Sequence, residues 1–164
     1  MNADDFVKLV ERLKKDGSHI CLSPELWKKS KVPDSLRWKD VKFLKTEKTG
    51  VPTERGVYAF VIEYRKLCLP PNHHIVYFGE VGEQGGETLR SRFLSYFREL
   101  ASSKRRAVHY PLKKYSPHIY FYFCAVPDKK QSVKKLEKQL TGTFVPEYNL
   151  RDFDADLRPA VAAF

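Results

Sequence analysis

Ten residues from Pro117 to Val126, PHIYFYFCAV, form a nearly unbroken apolar run. Such a run suits the buried central strand of a sheet. Two other segments share its character. Gly56 to Glu63, GVYAFVIE, and His74 to Gly79, HIVYFG, are rich in β-branched and aromatic residues and read as strands. A loop containing Pro70-Pro71-Asn72 turns the chain between them, so the pair should be antiparallel. The polar, Gly-rich stretch Glu80 to Glu87 follows as a loop. Thr88 to Leu100 then reads as a helix with Leu89, Phe93, Tyr96, Phe97 and Leu100 facing inward. Val133, Leu136, Leu140 and Phe144 recur at three- and four-residue steps, which predicts a second helix that stops against Pro146. The order β-β-α-β-α predicts an α+β domain, a small antiparallel sheet of about three strands flanked by helices.

The N-terminal third is read as a helical extension over residues 1–50, packed on a main domain at 51–150, with a tail at 151–164. Residues 4–16 have helical spacing, with Phe6, Leu9, Val10 and Leu13 on one side. Ser23 and Pro24 look like the N-cap and first turn of a short helix ending near Ser30. Trp38, Val41 and Phe43 alternate weakly, as a strand or an extended arm. No apolar run approaches the length of a membrane span, and the N-terminal residues lack a signal peptide's charge-then-apolar order. Three widely spaced cysteines and five histidines without zinc-ligand spacing are expected to be reduced thiols and ordinary side chains of a cytoplasmic protein.

The formal net charge of +10 points to a polyanionic partner, nucleic acid ahead of membrane. Between Arg90 and Lys114 stand Arg90, Arg92, Arg98, Lys104, Arg105, Arg106, Lys113 and Lys114 against the single acid Glu99. Tyr96, Tyr110 and Tyr115 are interleaved, able to bond phosphates or stack on bases. Basic surfaces are also often only solubilising. One acid is out of place: Glu137 lies inside the apolar arc of its helix, four residues after Val133 and three before Leu140. A buried carboxylate is costly unless a cation, a donor or a metal compensates it. The plain alternative is that it snorkels outward or pairs with Lys134, Lys135 or Lys138.

Gly56-Val57-Tyr58 on one strand, Tyr77-Phe78-Gly79 on the next, Arg92 with an aromatic four residues later in RFLSYF, then Glu137 with Pro146 and Asn149 beyond it: in this order the residues resemble the GIY-YIG nuclease family. The resemblance covers residues 52–150. It departs from the family pattern in longer spacings from Tyr58 to Tyr77 and from Tyr77 to Arg92, and in Glu80, which stands where many members place a Lys. Helical spacing alone does not separate Arg92 from Arg90; only the RxxxYF pattern prefers Arg92.

The resemblance implies a Mg²⁺-dependent endonuclease, with Mn²⁺ as a substitute, that hydrolyses phosphodiester bonds in DNA, RNA being kept as an alternative. It is stand-alone, of restriction, phage-borne or repair type, and a double-strand cutter of this kind would act as a homodimer. Tyr58, Tyr77, Arg92, Glu137 and Asn149 would form the catalytic set and gather in one groove. Glu137 would hold the metal, Arg92 would grip the scissile phosphate, and Tyr58 would act as base or water-orienting group with Tyr77 supporting it. Asn149 would position metal waters or brace the loop. Arg90, Arg98, Lys104, Arg105, Arg106, Lys113 and Lys114 would meet the nucleic-acid backbone. Two other readings stand beside this one. A catalytically inactive nucleic-acid-binding module would keep the same fold, and a basic protein-interaction subunit would bind no nucleic acid.

Overall fold

The computed structural model describes residues 20–66, 73–102 and 106–149, with isolated positions at 5, 8, 10, 11, 13 and 17. The helix expected over 4–16 lies largely outside the described residues, as does the tail at 151–164. In chain order the elements are α1 (Pro24–Lys28), β1 (Lys39–Lys42), a 3-10 turn (Lys45–Gly50), β2 (Gly56–Ile62), β3 (His74–Val81), α2 (Leu89–Ser102), α3 (Arg106–Lys114), β4 (Ile119–Ala125) and α4 (Val133–Phe144). The Ser23 hydroxyl caps α1 by accepting from the Leu26 amide at 3.4 Å.

The architecture is α+β, with one antiparallel sheet in the order β1-β4-β2-β3 and helices on both faces. The sheet has four strands rather than about three. The extra one is β1, which pairs with β4 from Lys39↔Phe123 to Lys42↔Tyr120. The weak alternation of Trp38, Val41 and Phe43 left a strand or an extended arm open, and the hydrogen bonds β4 offers make it a strand. The apolar run holds the interior position expected of it, with β1 on one side and β2 on the other.

Alternation along β2 divides the core. Tyr58 and Phe60 face α2 and α3, where they pack with Leu89, Phe93, Tyr96, Val108, Leu112 and Phe121. Val57, Ala59 and Val61 face α4, where Val133, Leu136 and Leu140 cover them. The register of β3 slips at Val76, since Phe60 pairs with Tyr77 but Val61 pairs with Ile75. This bulge turns both Val76 and Tyr77 toward the α2 side.

Helix α3 was not expected, because Pro111 and the basic residues around it break the pattern. Val108, Leu112 and Tyr115 nevertheless supply an apolar edge at four- and three-residue steps, and burial of that edge holds the helix around its proline. Among the described residues no helix is long and apolar enough to cross a membrane.

The Glu80 to Glu87 loop is tied to α4. The Glu83 carboxylate accepts from the Ser132 hydroxyl at 2.6 Å and from the Val133 amide at 2.9 Å, at the start of that helix. Arg55 holds Glu83 from the other side at 3.1 Å and donates to the carbonyls of Gly82, Asp128 and Gln131. The Ser132 hydrogen bond leads the interactions that put the Glu83 carboxyl below its ordinary value of 4.5. A folded-state value lowered in this way adds stability above pH 4.5 and loses it as pH falls through the lowered value. Glu83→Ala should therefore melt at a lower temperature than the parent protein at pH 7. The gap should close as pH is lowered below 4.5, a trend that thermal melts across that range would check.

Candidate functional site

On the α2 side the site is built around a buried cation. Arg92 is 8% exposed and projects from the first turn of α2 toward the phenols of β2 and of its own helix. Its Nε donates to Tyr58 Oη at 3.2 Å and its Nη2 to Tyr96 Oη at 3.3 Å. The two hydroxyls are themselves 2.8 Å apart, and the guanidinium carbon lies 4.6 Å from the centre of the Tyr96 ring. Nη1 reaches Ser95 Oγ at 3.4 Å and Glu99 Oε1 at 3.3 Å. His109 of α3 stands behind, its Nε2 3.8 Å from Glu99 Oε2.

Burial alone would lower the Arg92 pKa. Tyr58, Tyr96 and Glu99 outweigh it and leave the pKa raised, so the group stays a cation. For Tyr96 burial dominates instead and pushes the phenol well above its ordinary value against the pull of Arg92, so it stays protonated.

Tyr58 reaches this position because its cross-strand partner is Gly79. A Cβ at residue 79 would lie 2.3 Å from Tyr58 Oη, so any side chain there would push the phenol away. Tyr58 is only 1% exposed and stacks on Phe121. It braces Arg92 and is closed to solvent. Tyr77, on edge strand β3, is the half-buried phenol of the pair, its ring centre 6.3 Å from that of Tyr58.

The acid comes from α4, on the other face, and the amide from the segment beyond it. Helix α4 covers the opposite face of the sheet from α2, so Glu137 and Arg92 come from helices on different faces. Glu137 is 8% exposed and turned inward rather than snorkelling. Its Oε1 accepts from the Thr141 hydroxyl at 3.0 Å, with Asn149 Nδ2 at 3.5 Å. Asn149 clasps β3 at its outer edge: Oδ1 accepts from the Phe78 amide at 2.7 Å and Nδ2 donates to the Phe78 carbonyl at 3.0 Å. Between them lies Val145 with φ of 47°, a left-handed conformation that a β-branched residue rarely adopts. That turn carries the chain from α4 to the edge of β3, where the Tyr148 amide also bonds the Val76 carbonyl.

Glu80 is half-buried, and burial raises its carboxyl above the ordinary value. Among the described residues no three His, Cys, Asp or Glu stand close enough to share a metal ion. The basic residues divide as well. Arg90 donates to the carbonyls of Val51 at 2.7 Å and Thr49 at 3.4 Å and braces the 3-10 turn, which separates it from Arg92. Arg98 and Lys113 are exposed, and Lys114 lies over the rings of Tyr110 and Tyr115. Lys104 and Arg105 lie outside the described residues, as does the side chain of Arg106.

Glu99 is the member that sequence reasoning missed. The signal for Glu99 was present, because Ser95, Tyr96 and Glu99 follow Arg92 at three, four and seven residues and so share its helix face. His109, in sequence a surface or packing residue or an aid to the base, is buried beside Glu99 on a helix that was not expected.

No protein-family model, no curated protein and no solved structure matches the chain.

The clasp and the phenol give separate tests of this geometry. Asn149→Ala leaves both Phe78 backbone groups without their side-chain partner and should cost about 1–3 kcal/mol. Gly79→Ala forces Tyr58 off Arg92 and should cost a similar ~1–3 kcal/mol. Urea denaturation of each variant measures both.

Proposed function

We propose that the protein is a metal-dependent endonuclease of GIY-YIG type that hydrolyses phosphodiester bonds in DNA, acting in the cytoplasm. One observation supports the reading: each of the five candidate residues belongs to the edge-strand tripeptide Tyr77-Phe78-Gly79, touches it, or is linked to it through one neighbour. Tyr77 belongs to it, Tyr58 passes over Gly79 to hold Arg92, and Asn149 clasps Phe78 beside Glu137. The site then lies astride the edge of β3, fed from one face by α2 and from the other by α4.

In this arrangement Arg92 grips a phosphate oxygen, and its raised pKa keeps it cationic throughout. Tyr77, the less buried phenol of the two, orients or deprotonates the attacking water, and Tyr58 holds the guanidinium in place. Glu137, with the Asn149 amide next to it, would hold one Mg²⁺, or Mn²⁺ in its stead. A single carboxylate fits that ion, which commonly keeps several waters and takes its other ligands from the phosphate. When bound, such an ion spreads the charge that builds on phosphorus and acidifies a bound water. The exposed Arg98, Lys113, Lys134, Lys135 and Lys138, with the net charge of +10, favour the DNA backbone as partner.

A second reading, a nucleic-acid-binding module without catalysis, is favoured by the sealing of Tyr58 and by the split of Arg92 and Glu137 between two faces.

Supercoiled plasmid with Mg²⁺ separates the two. The parent protein should nick or cut it, while Glu137→Ala and Arg92→Lys should each slow the reaction by about 100-fold or more. Tyr77→Phe should lower the rate more than Tyr58→Phe does. Salt-sensitive binding with no cleavage in either Mg²⁺ or Mn²⁺ would establish the second reading instead.

A further inference from the structure

Two nitrogens of the Arg92 guanidinium are held by buried phenols: Nε and Nη2 bond to Tyr58 and Tyr96, which are 1% and 0% exposed. The remaining nitrogen, Nη1, is covered by Glu99, whose side chain is 22% exposed against 10% for that of Arg92. Among the described residues, a phosphate approaching Nη1 therefore meets the more exposed Glu99 carboxylate, with Ser95 Oγ at 3.4 Å from the same nitrogen.

We infer that Glu99 is a positioning residue that acts as a displaceable counter-ion: it holds Arg92 charged and in place, and gives up Nη1 when a phosphodiester arrives. The inference rests on the reading of Arg92 as the phosphate grip. Two features of the geometry favour exchange over a permanent lock. The contact is long for an ion pair, 3.3 Å against the 2.7–2.9 Å common for charge-assisted hydrogen bonds. A second partner also stands ready, because His109 Nε2 lies 3.8 Å from the other carboxylate oxygen, and a small side-chain rotation would bring them together. Glu99 thus competes with the substrate. It sets how tightly a phosphodiester is held and keeps other anions off the buried cation.

Binding of a fluorescently labelled DNA duplex in EDTA, followed by anisotropy, tests this without cleavage. Glu99→Gln keeps the shape and a neutral acceptor for Nη1 but removes the competing charge. It should tighten binding by about tenfold. Glu87→Gln, at an exposed acid, gives the nonspecific baseline, expected to stay within about twofold. Glu99→Asp, which withdraws the carboxylate by one methylene, should shift binding in the same direction as Glu99→Gln. In an Arg92→Gln background Glu99→Gln should add no more than the baseline. In steady-state cleavage Glu99→Gln should lower KM with kcat retained, whereas a residue that merely shaped the helix would leave KM unchanged or raise it.

Tightening no greater than that of Glu87→Gln, or tightening that persists without Arg92, overturns the inference and leaves the nuclease reading standing. Binding and cleavage by Arg92→Gln equal to those of the parent protein would overturn both.

Discussion

A charged guanidinium with 8% exposure constrains everything around it. Removing an ion from water costs several kcal/mol even after the protein relaxes, so Arg92 can stay buried only with acceptors and an opposite charge matched to it. Tyr58 and Tyr96 supply the hydroxyls and Glu99 the charge. Each of these has requirements of its own. Tyr58 needs a glycine across the strand, Tyr96 and Glu99 need α2 to present one face at four- and seven-residue spacing, and Glu99 in turn is met by His109 from α3. Satisfying one cation therefore fixes the seating of two helices and one strand pair.

The sheet edge links that cation to the acid on the other face. As an edge strand, β3 has main-chain groups with no neighbouring strand to bond, and the segment after α4 supplies partners through Tyr148 and Asn149. The strained turn at Val145 makes this return possible. Glu137 is compensated by donors close in sequence, a hydroxyl one turn along its helix and the amide twelve residues on. A second buried acid, Glu63, shows the same logic at the far end of β2. It is 1% exposed and accepts from Arg65 and Tyr122, with His73 Nδ1 at 2.9 Å, while Arg65 also reaches Asp40 at 2.8 Å. That network closes the β2–β3 hairpin and needs no ligand to account for it. An apolar cleft of about 270 Å³ next to it, lined by Trp38, Val61, Phe78, Leu140 and Phe144 among others, offers little to a phosphate.

Much of the fold could be read from residue patterns, and for identifiable reasons. The three apolar runs became β2, β3 and β4 within a few residues of their expected ends, and the two periodic segments became α2 and α4. Burial acts on those patterns directly. Where the pattern was weak the reading was weak: KDVK became a strand because β4 had an open side, and residues 106–114 became a helix because Val108 and Leu112 could be buried despite Pro111. The inward aim of Glu137 was legible as an acid inside an apolar arc, whereas its actual partners were not.

The sequence alone determined the strand and helix segments, the side of each helix that is buried and the basic character of the chain, because these depend on periodicity and composition. Tertiary structure decided which arginine is buried, that Tyr58 is sealed while Tyr77 is only half-buried, and that Arg92 and Glu137 come from helices on opposite faces of the sheet. Those outcomes turn on strand order, on a one-residue bulge at Val76 and on the space left by Gly79, all of which arise from pairings between residues distant in the chain.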